Sequence, residues 1–236
     1  MLRVLSLLLI NTQIMAFVAA DNEGFSGNFD LGLNFTKNTE STFQFNNMFL
    51  VKYKKGKSNF SLGNNISFIS KTGEDDLLNK GSQDFKYALD AKLDVNITVQ
   101  HMYDISRSVK NRYTSGLGVS YNFTDEDNRK IGVGLSAIRE NEIPLEGENT
   151  FQNRLSTNFD LMIKLNKNVT ISTTNHYQPN IQKTGDFRLK SNITFRVNLS
   201  SYFLLSINSN FNYDSMPAEG IPETDYQLIN SISYTF

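Results

Sequence analysis

"GFSGNFDLGLNF", residues 24–35, puts Phe25, Gly27, Phe29, Leu31, Leu33 and Phe35 on one parity and Ser26, Asn28, Asp30, Gly32 and Asn34 on the other. Side chains alternate faces along a strand, so this stretch is a strand with one apolar and one polar face. The same period recurs at Phe43, Phe45, Phe49, Val51 and Tyr53, at Phe60, Leu62, Ile66 and Phe68, and at Phe85, Tyr87, Leu89, Ala91 and Leu93. It continues at Ile97, Val99, Tyr103 and Ile105, at Tyr113, Leu117, Val119, Tyr121 and Phe123, and at Ile131, Val133, Leu135 and Ala137. Phe151, Leu155, Phe159, Leu161 and Ile163 follow, then Val169, Ile171 and Tyr177, then Phe187, Leu189, Ile193, Phe195 and Val197. The last two rows are Phe203, Leu205, Ile207, Phe211 and Tyr213, and Tyr226, Leu228, Ile232, Tyr234 and Phe236. The count is twelve strands, and no segment reads as a helix.

The connections carry a second pattern. After strands 2, 4, 6, 8 and 10 they are short: "KKGK", "DVN", "TDEDNR", "NKN" and "LSS". After strands 3, 5, 7, 9 and 11 they are longer and more polar, from "KTGEDDLLNKGS" and "SRSVKN" to "RENEIPLEGEN", "QPNIQKTGD" and "YDSMPAEGIPET". The first connection, Lys37–Glu40, is short. All four prolines fall in the long connections, outside any strand read from the alternation, where no ladder hydrogen bond is lost. Tight turns at one end and longer loops at the other describe an up-and-down sheet, and closing it removes the exposed edges. The expected fold is all-β: a closed antiparallel transmembrane barrel of about twelve strands.

Composition narrows the function classes. The 236 residues carry a formal charge of −1, so no charge argument points to nucleic acid. Mean hydropathy is −0.36, and no stretch after residue 20 supplies the ~20 apolar residues of a spanning helix. A membrane barrel remains open, because its strands are only half apolar. There is no cysteine, which excludes disulfides and thiolate metal sites. "MLRVLSLLLINTQIMAFVAA", residues 1–20, reads as a secretory signal, with Arg3, an apolar Val4–Ile10 run and a Val18-Ala19-Ala20 cleavage site. Residues 21–236 then form the barrel domain.

The remaining choice is which face points inward. The polar face holds Lys52, Lys86, Lys92, Arg154, Lys164, Arg188, Lys190 and Arg196, with Asp30, Asp84, Asp90, Asp104 and Asp160. The apolar face is rich in aromatics near strand ends (Phe25, Tyr53, Tyr113, Phe123, Tyr177, Tyr213, Tyr226, Tyr234), as interfacial girdles are. That distribution favours a lipid-facing outer wall over a soluble secreted barrel binding apolar ligands, which stays as the alternative. The chain closes on "NSISYTF", residues 230–236, and Ile232, Tyr234 and Phe236 resemble the C-terminal signal by which bacterial outer-membrane barrels are recognised by their assembly machinery.

"FSGNFDLGLNFTKNTESTFQFN" (25–46) and "RYTSGLGVSYNF" (112–123) resemble the outer-membrane family called domain of unknown function 481, which includes proteins labelled salt-induced outer membrane proteins. The similarity is best over roughly 24–123. It implies an outer-membrane barrel of a Gram-negative bacterium and brings no catalytic residues.

Few residues offer chemistry. Of the two histidines, His101 shares parity with Val99 and Tyr103 and His176 lies on the polar face; neither has a local nucleophile and orienter, which argues against a lipid-acting barrel enzyme. No ligand spacing suggests a metal or cofactor, and "GEDD" (73–76) reads as a solvated loop. Eight Asn-x-Ser/Thr sequons follow automatically from polar–apolar–polar alternation in an Asn-rich chain. The lumen charges are the candidate site: Arg154, Lys164, Arg188, Lys190, Arg196, Lys86 and Lys92, a basic stripe suited to small anionic solutes if it outnumbers its carboxylates. The expected function is a narrow outer-membrane channel or a structural barrel with surface loops, its outer wall in contact with outer-membrane lipid.

Overall fold

The structure is a computed structural model that describes residues 23–37, 41–71, 77–89, 93–126 and 128–235. The signal-like segment 1–20, the acidic loop 73–76, Lys92 and Phe236 lie outside the described residues.

Twelve strands run in chain order: β1 (Gly24–Lys37), β2 (Ser41–Lys55), β3 (Ser58–Lys71), β4 (Leu77–Leu89), β5 (Leu93–Asp104), β6 (Val109–Glu126), β7 (Arg129–Pro144), β8 (Thr150–Lys164), β9 (Val169–Pro179), β10 (Phe187–Asn198), β11 (Phe203–Asp214) and β12 (Thr224–Thr235). Each pairs antiparallel with its sequence neighbours, and β12 pairs back onto β1 to close the barrel. The seam keeps the alternation in step, with Leu31 opposite Ile232 on the outer wall and Asp30 opposite Ser233 inside. A slip of one residue would turn the apolar row into the lumen, so the row itself fixes the register.

The interior is polar and the exterior apolar. Among the described residues, Leu50, Ala88, Val109 and Met162 are the buried apolar side chains, whereas twenty-two buried side chains are polar or charged. Arg154 is 2% exposed, while Leu117 is 60% and Phe25 76% exposed on the outside. A soluble barrel inverts this arrangement, so the outer wall faces lipid.

Aromatic rings mark both rims. At the short-turn end Phe25, Tyr53, Phe60 and Tyr87 form a chain of ring contacts across β1 to β4, and Tyr234 packs on Phe203 at 5.5 Å. At the long-loop end Tyr177, Phe187 and Tyr213 do the same across β9 to β11. From Phe203 to Tyr213 is about 34 Å along β11, or about 26 Å along the axis at ~40° tilt, close to the ~25 Å apolar band of a membrane barrel.

Strand ends depart from the alternation at the loop side. β6 begins at Val109, so Val109 and Asn111 pair with β7, with Lys110 bulged between them, instead of forming part of a long loop; Ile105–Arg107 makes a short 3-10 turn before them. β7 runs past Ala137 to Pro144, and β9 includes Pro179. Two of the prolines therefore end strands, where a missing N–H costs little. The apolar row stops earlier because Arg139 and Asn141 occupy the outward positions of β7.

The glycines of "RYTSGLGVSYNF" have a packing role. A Cβ on Gly118 would collide with the Ser136 hydroxyl and lie 2.8 Å from Ser136 Cβ and 2.9 Å from Asn96 Oδ1; one on Gly116 would lie 2.9 Å from Ile138 Cγ2. Both glycines leave room for a neighbour's inward side chain. Gly118→Leu is expected to destabilise the barrel by about 1–3 kcal/mol through overpacking, read as a lower urea midpoint.

Candidate functional site

Inward positions converge on the lumen because adjacent strands keep their polar parity in register. In the half nearer the long loops, this brings together Arg112 on β6, Glu140 and Glu142 on β7, Arg188 on β10 and Asp214 at the end of β11. Arg188 donates from Nη1 to Glu140 at 2.6 Å, from Nη2 to Glu142 at 3.3 Å and from Nε to Asp214 at 2.9 Å. Arg112 Nη2 meets Glu142 at 2.5 Å, and its Nε donates to the same carboxylate at 2.7 Å. β10 and β7 are three strands apart, so Arg188 crosses part of the lumen to reach its carboxylates. Lys80 on β4 and Asp225 on β12 make a looser crossing at 4.0 Å.

Arg154 is held separately. Its Nη2 donates to Asp186 at 2.7 Å and to Gln152 at 2.5 Å, and Nη1 to the Gln178 carbonyl at 3.0 Å. Asp186 also accepts from Asn180 at 2.9 Å, which ties the β9–β10 loop to the barrel mouth. Removing either member of such a buried pair leaves an uncompensated charge, which is costlier than the pair is stabilising.

Two chambers adjoin along the lumen, with volumes of about 130 and 150 Å³. The first, nearer the long loops, is lined by Arg112, Arg188, Lys190 and Asp214 and by the amides Asn192, Asn210, Asn212 and Gln227. The second is lined by Lys52, Asp84, Lys86, Asn158, Asp160 and several Ser and Thr. Gln100, Thr174 and His176 line both and form a waist between them. Every lining residue lies on a strand except Arg107, in the 3-10 turn. Between Lys190 and Arg196 the inner wall on β10 to β12 is neutral, with Thr194 donating to Asn208 at 2.8 Å and Asn192 bonded to Asn210.

The basic residues singled out in the sequence are arranged as follows. Lys86, Arg154, Arg188, Lys190 and Arg196 occupy inward positions, Lys164 is exposed at the short-turn end of β8, and Lys92 lies outside the described residues. Arg154 and Arg188 are not short of carboxylates: Asp186, Glu140, Glu142 and Asp214 hold them. Glu140 and Glu142 escaped the sequence reading because they lie beyond the apolar row of β7, where a strand looks like a loop. Ile232 and Tyr234 face outward on β12, paired with Leu205 and Phe203. His101, on the outer wall, stacks on Tyr113 at 4.6 Å and hydrogen-bonds Asn111 at 2.9 Å.

Residues 29–236 match the profile of a family described as protein of unknown function, DUF481. The chain belongs to this family. The match covers nearly all of the barrel and extends well beyond the segment 24–123. A search of curated proteins finds no match. Among solved structures, the barrel is similar to an outer membrane channel from Pseudomonas putida F1, with a TM-score of 0.53 and 10% identity over 92% of this chain and 97% of that one. It is also similar to the KdgM porin in complex with disordered oligogalacturonate, with a TM-score of 0.50 and 9% identity over 89% and 99% of the two chains. At such identity the likeness concerns the fold. The DUF481 chain thus has the fold of these outer-membrane barrels, a closed twelve-strand ring with an apolar outer wall.

Proposed function

We propose that the protein is a narrow channel for small polar solutes across the outer membrane, with no chemistry of its own. The observation that carries this reading is the pair of adjoining chambers walled almost entirely by strand residues, most of them polar or charged, with the Arg188 bridge as the constriction. The narrowness follows from the bridge, because Arg188, Arg112 and their carboxylates project into space that a bare twelve-strand barrel would leave to water. The basic stripe contributes anion preference chiefly through Lys190 and Arg196, since Arg154 and Arg188 are neutralised locally. That preference is therefore small.

Swelling of proteoliposomes containing the refolded barrel tests the reading. Glycerol is expected to enter rapidly and the trisaccharide raffinose to be excluded. Exclusion of glycerol as well would leave a closed structural barrel.

A further inference from the structure

β4 and β10 are six strands apart in the twelve-strand ring and so face each other across the lumen. At the waist, β4 presents Asp84 and β10 presents Lys190. Asp84 accepts a hydrogen bond from Gln100 Nε2 at 2.9 Å. Lys190 is the register partner of His176 on β9. Gln100 and His176 are two of the three groups that line both chambers, so the carboxylate and the ammonium stand on opposite walls of one junction. No ion pair joins Asp84 to Lys190 among the described residues, which leaves a gap between the two charges. Both ring nitrogens of His176 are shielded and have no protein partner, and neither has Asn210 Nδ2 or Gln227 Oε1 on the neutral wall nearby.

The nearby arginines do not compete for this role. Arg112 and Arg188 are occupied by Glu140, Glu142 and Asp214. Lys86 and Asp160 lie further into the second chamber and repeat the mixed-sign pattern there. The net field along the axis is therefore weak, while the field across the waist, from Lys190 to Asp84, is not cancelled. A net charge gains little from such a field. A small molecule carrying both signs gains from both walls at once, by turning its anionic end to Lys190 and its cationic end to Asp84.

We propose that the waist selects small zwitterions, free α-amino acids being the class that fits. This rests on the channel reading and gives that channel a solute. The test compares entry of glycine into proteoliposomes with entry of glycolamide, its uncharged isomer, with glycerol as the measure of an open lumen. In the wild type glycine is expected to enter about threefold faster than glycolamide or more. Lys190→Gln and Asp84→Asn should each abolish that advantage while glycerol entry persists. The exchanged pair, Lys190→Asp with Asp84→Lys, should restore it, because reversing the field only reverses the solute. Glycerol entry without a glycine advantage overturns the inference and leaves the channel standing, as does an advantage that survives both single substitutions. Failure of all three solutes to enter removes the channel reading and this inference with it. Heat-modifiable migration on gels checks that each variant is folded, and the single variants decide the matter if the exchanged pair does not fold.

Discussion

Replacing Arg188 with Gln is expected to destabilise the barrel by about 3–5 kcal/mol and to make the lumen cation-selective. The guanidinium is buried and bonded to Glu140, Glu142 and Asp214, and the uncharged amide of Gln cannot reach or balance all three. Arg112 remains for Glu142 and, at 3.6 Å, for Glu140, but Asp214 loses its guanidinium partner. The carboxylates left in excess draw cations to the constriction, and the bridge that narrows the lumen is gone. Urea unfolding followed by tryptic sensitivity gives the stability change, and reversal potentials in a salt gradient give the selectivity. A variant with wild-type stability and unchanged reversal potential would show that the bridge neither braces nor gates the lumen.

The second large effect concerns the outer wall. Ile193, on β10 between the two aromatic rims, is 48% exposed to the surroundings of the barrel. In a bilayer that surface is hydrocarbon, so Ile193→Arg is expected to cost about 2–4 kcal/mol of folding free energy in lipid vesicles. Asn212→Arg on the neighbouring strand β11 faces the first chamber beside Asp225 and should leave stability close to that of the wild type. The contrast between the two sites separates an outer wall in lipid from one in water, where both arginines would be tolerated.

The barrel itself was legible because lipid imposes a strict rule on one face of each strand: outside residues must be apolar over the height of the band. Where that constraint acts, as at Phe203, Leu205 and Ile207, the alternation identifies the strand and its orientation. Where it ends, the signal ends. Arg139, Asn141 and Asn111 face outward above the band, so β7 and β6 continued unseen into segments that looked like loops. Glu140 and Glu142 were lost with them, and the basic stripe appeared richer in uncompensated charge than it is. The pairing of Arg154 with Asp186 could be anticipated, since both lie near the same mouth. The facing of Asp84 and Lys190 could not. It depends on barrel closure and on the accumulated register of six strands, and no local spacing encodes it.

Single-channel recording from the purified barrel in planar bilayers tests the central claim most directly. A polar lumen narrowed by the Arg188 bridge predicts small, steady conductance steps in potassium chloride, with a reversal potential close to zero and a slight anion preference. A silent membrane, with the inserted protein verified as folded, would contradict it.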